Sequence, residues 1–208
     1  VIHVYGVAGA PVTVPPAPGV DGAVPRGFGV HPLVAIVSDH AEDPRPTAAR
    51  LLEHERVLEG LLPYGVVPAR YGPAVPDAGV LSALLTERVE QLSRLLERLR
   101  GRVEMGVHMD LPAKPTRPSP TGRSYLLDKL HRERLAQRMA DRLDHHLGAL
   151  AVRRNVLASR DDLRIAYLVD AEQVADFRAR LDPGPDWAAA LVCTGPWPAY
   201  SFVSEEQP

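Results

Sequence analysis

Cysteine is nearly missing from this chain of 208 residues. The single thiol, Cys193, excludes an intramolecular disulfide and any zinc site built on paired cysteines. It sits in an apolar run, so it reads as a small buried hydrophobe rather than a nucleophile. Apolar runs are short throughout. None approaches the ~20 residues that a helix needs to cross a bilayer, so no membrane partner is expected. A dominant charge sign is missing too: 24 Lys and Arg stand against 26 Asp and Glu, a net charge of −2. That balance gives no reason to expect nucleic acid as a partner. Residues 1–7 lack the basic stretch of a secretory leader, so a soluble, cytoplasmic protein is expected.

Catalytic spacings are lacking as well. There is no glycine-rich dinucleotide loop, no P-loop and no nucleophile elbow. His54-Glu55 begins like a zinc-protease motif, but Leu58 stands where the second His is required. The pair therefore reads as part of a solvated helix face beside Glu53, Arg56 and Glu59. His145 and His146 are adjacent, so on a helix they point about 100° apart and cannot ligate one metal. His3, His31, His40, His108 and His131 show no ligand spacing. Asp161-Asp162 and Glu205-Glu206 are adjacent pairs at a turn and a tail. Arg132, Arg134, Arg138 and Arg142 are balanced by Asp128, Glu133, Asp141 and Asp144, a salt-bridged surface. No catalytic residue, cofactor or metal is expected.

The chain is instead rich in punctuation, 21 Pro and 16 Gly, around clear periodic segments. Residues 2–7 and 33–38 are β-branched strands. Between them, residues 9–29 read as a long loop with at most a short strand near Val24. Thr47 is placed to cap a helix reaching about Leu62. Residues 64–71 read as a strand in which Pro68 indicates an edge or a bulge. Residues 77–100 read as one helix. Its seam of Leu85, Val89, Leu92, Leu96 and Leu99 packs on the chain's own sheet or forms a coiled coil.

From Val103 the order is strand, helix, strand, strand, helix, strand. The strands fall at 103–109, 151–158, 163–169 and 188–193. A long helix spans 123–150, with a stripe of Leu127, Leu130, Leu135, Met139, Leu143, Leu147 and Leu150, and a short one spans 171–181. Thr121 caps the long helix, after a Pro-rich loop at 111–121. This is the split βαβ, or ferredoxin-like, arrangement. The expected fold class is α+β with two domains. Residues 1–76 form a small N-terminal α+β domain, 77–100 a bridging helix, and 101–208 the ferredoxin-like domain with its tail.

That tail concentrates the scarce aromatics. Only eleven exist, and Trp197, Tyr200 and Phe202 fall within six residues. Gly195-Pro196 reads as a breaker that stops the last strand. Pro196 and Pro198 stiffen the residues beyond it. A stiff aromatic segment loses little entropy on docking, either onto its own core or onto another chain.

The block Gly195-Pro196-Trp197-Pro198-x-Tyr200-Ser201-Phe202-Val203 resembles the C-terminal block of the gas vesicle protein F/L family. Further blocks agree in order: Tyr5-Gly6, His54-Glu55-x-Val57-Leu58, Val67-Pro68-x-Arg70-Tyr71-Gly72, Gly101-x-x-Glu104 and Gly122-x-x-Tyr125-Leu126-x-x-Lys129. The chain departs mildly at Ala199, where a second Pro is common, and at Tyr71, where Phe is. The resemblance covers essentially the whole chain. It implies a non-enzymatic accessory or minor structural protein of gas vesicles, the hollow shells that give cells buoyancy. Implied partners are the small hydrophobic major shell protein, whose nucleation and assembly it would assist, and other accessory gas vesicle proteins. Candidate surfaces are the aromatic tail (Gly195, Pro196, Trp197, Pro198, Tyr200, Phe202), the Pro68 edge and the seam of residues 77–100. The alternatives are a ferredoxin-like small-molecule sensor, or an enzyme without a recognisable motif. Either would require a pocket with convergent polar groups.

Overall fold

The computed structural model describes residues 1–14, 16–111, 122–158, 162–182, 184 and 191–203. The chain forms two compact units. One comprises Val1–Val103 with Trp197–Pro208, the other Glu104–Pro196.

The first unit holds strands β1 (Ile2–Gly9), β2 (Arg26–Val30), β3 (Leu33–Asp39) and β4 (Val66–Pro68) in the order β2-β3-β1-β4. β1 lies antiparallel to both β3 and β4, and β2 antiparallel to β3. Strand β2 lies inside the expected loop. Two glycines dilute its alternation, and its pairing with β3, including Arg26 opposite Val37, makes it a strand. β4 is an edge strand ending at Pro68, as the proline required.

Helix α1 (Ala48–Glu59) starts where the sequence indicates: Thr47 Oγ1 accepts the Arg50 N–H at 3.3 Å. The expected single helix over 77–100 is two, α2 (Ala78–Glu87) and α3 (Val89–Leu99). Asp77 caps the first, accepting the Val80 N–H at 2.9 Å. Arg88 leaves helical geometry at φ −108°, ψ 11°. Just before it, Thr86 Oγ1 bonds back to the Ser82 carbonyl at 2.8 Å, a contact that loosens and bends a helix. The seam serves its own unit. Leu95, Leu96 and Leu99 are buried, and α3 packs against β1, β3 and β4.

The second unit holds β5 (Arg102–Asp110), α4 (Gly122–Leu147), β6 (Arg153–Ala158), β7 (Asp162–Asp170), α5 (Val174–Leu181) and β8 (Leu191–Trp197). Its sheet order, β6-β7-β5-β8, is that of a ferredoxin-like fold. Period-2 alternation puts Val103, Met105, Val107 and Met109 on the buried face. The buried stripe of α4 is Ala136, Ala140, Leu143 and Leu147, while Leu127 and Leu130 are exposed. Small Ala side chains let the later turns approach the sheet, and the leucine spacing alone had included the earlier ones.

The last strand does not stop at Gly195-Pro196. It runs through to Trp197, because β8 is an edge strand and Pro there need donate no ladder hydrogen bond. The expected cap at Thr121, the loop at 112–121, the turn at Asp161, Pro183, Pro185 and the strand start at 188–190 lie outside the described residues. No helix among the described residues is long and apolar enough to cross a membrane.

Gly6 sits where β1, β4 and α1 converge. An added Cβ would lie 2.8 Å from the Val67 carbonyl oxygen and 3.0 Å from Leu58 Cδ2. Gly6→Ala therefore lowers stability by about 1–3 kcal/mol, read as a lower urea midpoint with an unchanged slope.

Candidate functional site

The aromatic tail divides into anchored and exposed parts. Gly195, Pro196 and Trp197 belong to β8. The Gly195 carbonyl accepts a hydrogen bond from Arg178 Nη2 of α5. Pro196 is exposed, and Trp197 keeps 39% of its surface in solvent. Pro198 and Ala199 are buried. The chain then turns, with the Phe202 N–H on the Ala199 carbonyl at 3.0 Å. Tyr200 packs against the first unit's core and donates its hydroxyl to Glu55 Oε2 of α1 at 2.9 Å. Phe202 is buried, and its carbonyl accepts from Arg98 of α3 at 3.2 Å. Tyr200 and Phe202 thus hold the tail to the first unit, and Trp197 is the most exposed of the three aromatics.

Sequence spacing missed a second cluster, beneath the tail's dock. His3 and Tyr5 of β1, Ser38 of β3, His40, His54 of α1 and Tyr71 meet in the first unit. His54 is buried, which corrects its reading as part of a solvated face. The signal was present: 54, 58 and 61 fall at helical spacing on the stripe that also buries Leu58 and Leu61. The His54 Nε2–H donates to the Ala69 carbonyl at 2.9 Å. Its Nδ1 is therefore an acceptor, and His3 Nε2–H donates to it at 2.9 Å. Both rings are neutral, with their tautomers set by the carbonyl.

A bulge in β1 between Val4 and Gly6 aims Tyr5 inward. Its hydroxyl accepts the Val20 N–H at 2.8 Å and shares a hydrogen bond with Ser38 at 2.9 Å. Ser38 in turn meets His40 Nε2 at 2.8 Å. Gly19 is required here, since a Cβ would fall 2.1 Å from the Tyr5 hydroxyl oxygen.

Burial, then the neighbouring His54 and His40, holds His3 down from 6.5 to about 4. Burial also lowers His54 and raises the Tyr5 phenol. The cluster is a neutral, hydrogen-bonded wedge. The two ring nitrogens stand at hydrogen-bonding distance, 2.9 Å, and no group of three His, Cys, Asp or Glu that could hold a metal occurs among the described residues.

In the second unit a recess of about 220 Å³ is lined by residues including Asp144, Leu147, Arg154 and Tyr167. Its polar groups engage one another. Tyr167 donates to Asp144 at 3.0 Å, and Arg154 pairs with Asp144 and Asp141. Cys193 is half-buried against this unit's core, and burial pushes its thiol up, away from nucleophilic character.

These features define a two-domain α+β protein with a ferredoxin-like C-terminal domain and an aromatic tail fastened to its N-terminal one. The family model described as gas vesicle synthesis protein GvpL/GvpF matches residues 1–204. The chain belongs to that family. It is 31% identical to gas vesicle protein L of Streptomyces sp. (strain CB03234), over 90% of this chain and 80% of that protein. It is 29% identical to gas vesicle protein F1 of Halobacterium salinarum, over 82% and 77%. The crystal structure of GvpF from Anabaena sp. PCC7120 has the same fold, with a TM-score of 0.81 at 18% identity over 99% of this chain and 96% of that one. GvpF from Microcystis aeruginosa gives 0.79 at 17% identity, covering 98% of each.

The two parts of the tail should differ in stability. Phe202→Ala removes a buried side chain and costs about 3 kcal/mol, whereas Trp197→Ala, at a residue that already keeps 39% of its surface in solvent, costs less, about 1–2 kcal/mol, both read by urea unfolding. The fold also penalises protonated His3. Its contribution is complete above pH 6.5 and is lost as pH falls toward about 4. Unfolding at pH 7.5 and pH 4 should differ by about 3 kcal/mol from this group, and His3→Gln should shrink the difference.

Proposed function

We propose that this chain is an accessory or minor structural protein of gas vesicles that binds the major shell protein and assists its nucleation and assembly. Membership of the GvpL/GvpF family and relatives named gas vesicle proteins L and F1 support the setting. The observation that carries the binding role is Trp197, exposed at the end of an edge strand. The seven residues of β8, Leu191–Trp197, carry no charge, and Val192, Thr194, Pro196 and Trp197 face solvent. An uncharged edge with a terminal indole suits an apolar, extended segment of a shell subunit, through backbone pairing and one aromatic anchor. The role is one of surfaces rather than turnover, exercised at the forming vesicle in the cytoplasm with other accessory gas vesicle proteins. No specific observation favours the sensor or enzyme reading, since in the recess Tyr167 bonds to Asp144 and Arg154 forms ion pairs with Asp144 and Asp141.

Capture of the major shell protein by the full chain tests this. Trp197→Ala should remain folded by circular dichroism yet lose about 10-fold or more in capture, as removal of an aromatic anchor does. Undiminished capture would show that the indole is not the contact. A strain lacking the chain but floating on normal vesicles would remove the assembly role altogether.

A further inference from the structure

We propose that the His3–His54 pair is a proton-sensitive latch that holds the tail segment Tyr200–Phe202 on the first unit. The geometry links the two directly. His54 and Glu55 are consecutive on α1. His54 points inward to His3 at 2.9 Å, and Glu55 accepts the Tyr200 hydroxyl at 2.9 Å. Any shift of α1 that separates the imidazoles also moves the acceptor that fastens the tail. Tyr200 further packs on the core cluster that contains Val57, Leu58 and Leu61, so part of its apolar seat is α1 itself.

Protons act on this pair in two steps. A first proton creates a cation in a buried site where, among the described residues, no carboxylate hydrogen-bonds to either ring. Tyr5 and Tyr71 stand at ring-centroid distances of 4.7–5.4 Å from His3 and His54. His40 lies 6.1 Å from His3, and Asp43 attracts the charge only at longer range. On His40 itself act Asp21 and Asp39, and against it Arg50 and the N-terminal ammonium. From the segment after β4, the Ala69 carbonyl already holds the His54 Nε2–H. A second proton leaves two N–H groups facing each other and no hydrogen bond between the rings.

The element that yields is α1. β1 is locked on both sides, by β3 and by β4, whereas α1 meets it through side chains, His54 on His3 and Leu58 over Gly6. Rehydrating the imidazoles therefore lifts α1, loosens Glu55 and releases the tail while the sheet stays paired. His3 alone, at 6.5 when hydrated and about 4 in place, raises the opening equilibrium about 30-fold between pH 7.5 and pH 5. The latch does not depend on what the tail contacts, because it is read on the isolated chain.

Amide hydrogen exchange, corrected for intrinsic rates, is followed on the full chain from pH 7.5 to pH 5. The expected result is a roughly 30-fold loss of protection at residues 200–202 while β1 and β3 stay protected. His3→Gln, whose amide still donates to His54 but does not titrate, should cut that response at least several-fold. Glu55→Gln, which keeps an acceptor for Tyr200, should leave it in place. An unchanged response in His3→Gln, or its disappearance in Glu55→Gln, overturns the latch. Should His3→Gln fail to fold, the imidazole resonances of the parent decide. A His3 or His54 titration that shares its midpoint with the Tyr200 ring signals supports the latch, and one that does not overturns it.

Discussion

Helix α1 can lie against strand β1 only because residue 6 carries no side chain, and the first unit is built on that approach. With Gly6 open, Leu58 settles over the strand and β4 closes from the other side. The same closeness brings His54 to His3. The bulge beside Gly6 turns Tyr5 toward Ser38 and Val20. Polar groups in this interior are tolerable because each has a partner. The result is a core in which an apolar layer of Ile36, Val57, Leu58 and Leu61 is pinned by a hydrogen-bonded wedge of neutral rings.

The two units solve one topology differently. Both sheets use the same permutation, with the first strand of each unit next to its third and fourth. In the second unit a full helix, α4, fills the first crossover. In the first unit the described residues of the corresponding span hold a short 3-10 turn at Val20–Gly22 and no longer helix. Lacking that helix, the first unit covers its core with loop side chains: Val12 and Val14, Tyr71 after β4, and Tyr200 from the far end of the chain. The second unit needs no such help, because Met105, Val107, Leu143, Leu147 and Phe177 form an ordinary layered core. The docked tail is therefore part of how the first unit completes itself, while the indole beside it keeps 39% of its surface in solvent.

Much of this fold is legible in the sequence because it rests on local physics. Thr47 caps a helix, Pro68 marks an edge, and alternation in β5 separates its two faces. The ferredoxin-like order comes from counting periodic segments. The misreadings share a cause. β2 is too glycine-rich to announce itself and exists through its pairing with β3. The seam at 77–100 is continuous in spacing, so nothing in its periodicity marks the break at Arg88. The leucines at 127 and 130 match the stripe of α4 but fall on turns that the core does not reach. His54 lies between charged neighbours, and its charge-rich surroundings hid the 54-58-61 spacing that places it inward.

The sequence by itself determined most of the elements, the fold class and the family, because caps, breakers and hydrophobic period act over a few residues. It also picked out the block from Gly195 to Val203 by its prolines and its concentration of aromatics. Only the tertiary structure decided how that block is divided, with Trp197 exposed and Tyr200 and Phe202 fastened to α1 and α3. It alone decided that His3, Tyr5, Ser38 and Tyr71, from distant segments, gather around His54. Burial and hydrogen-bond partners are set by which segments meet across tens of residues. Such meetings leave no mark in local spacing, since a histidine on a strand reads the same whether it faces water or another imidazole.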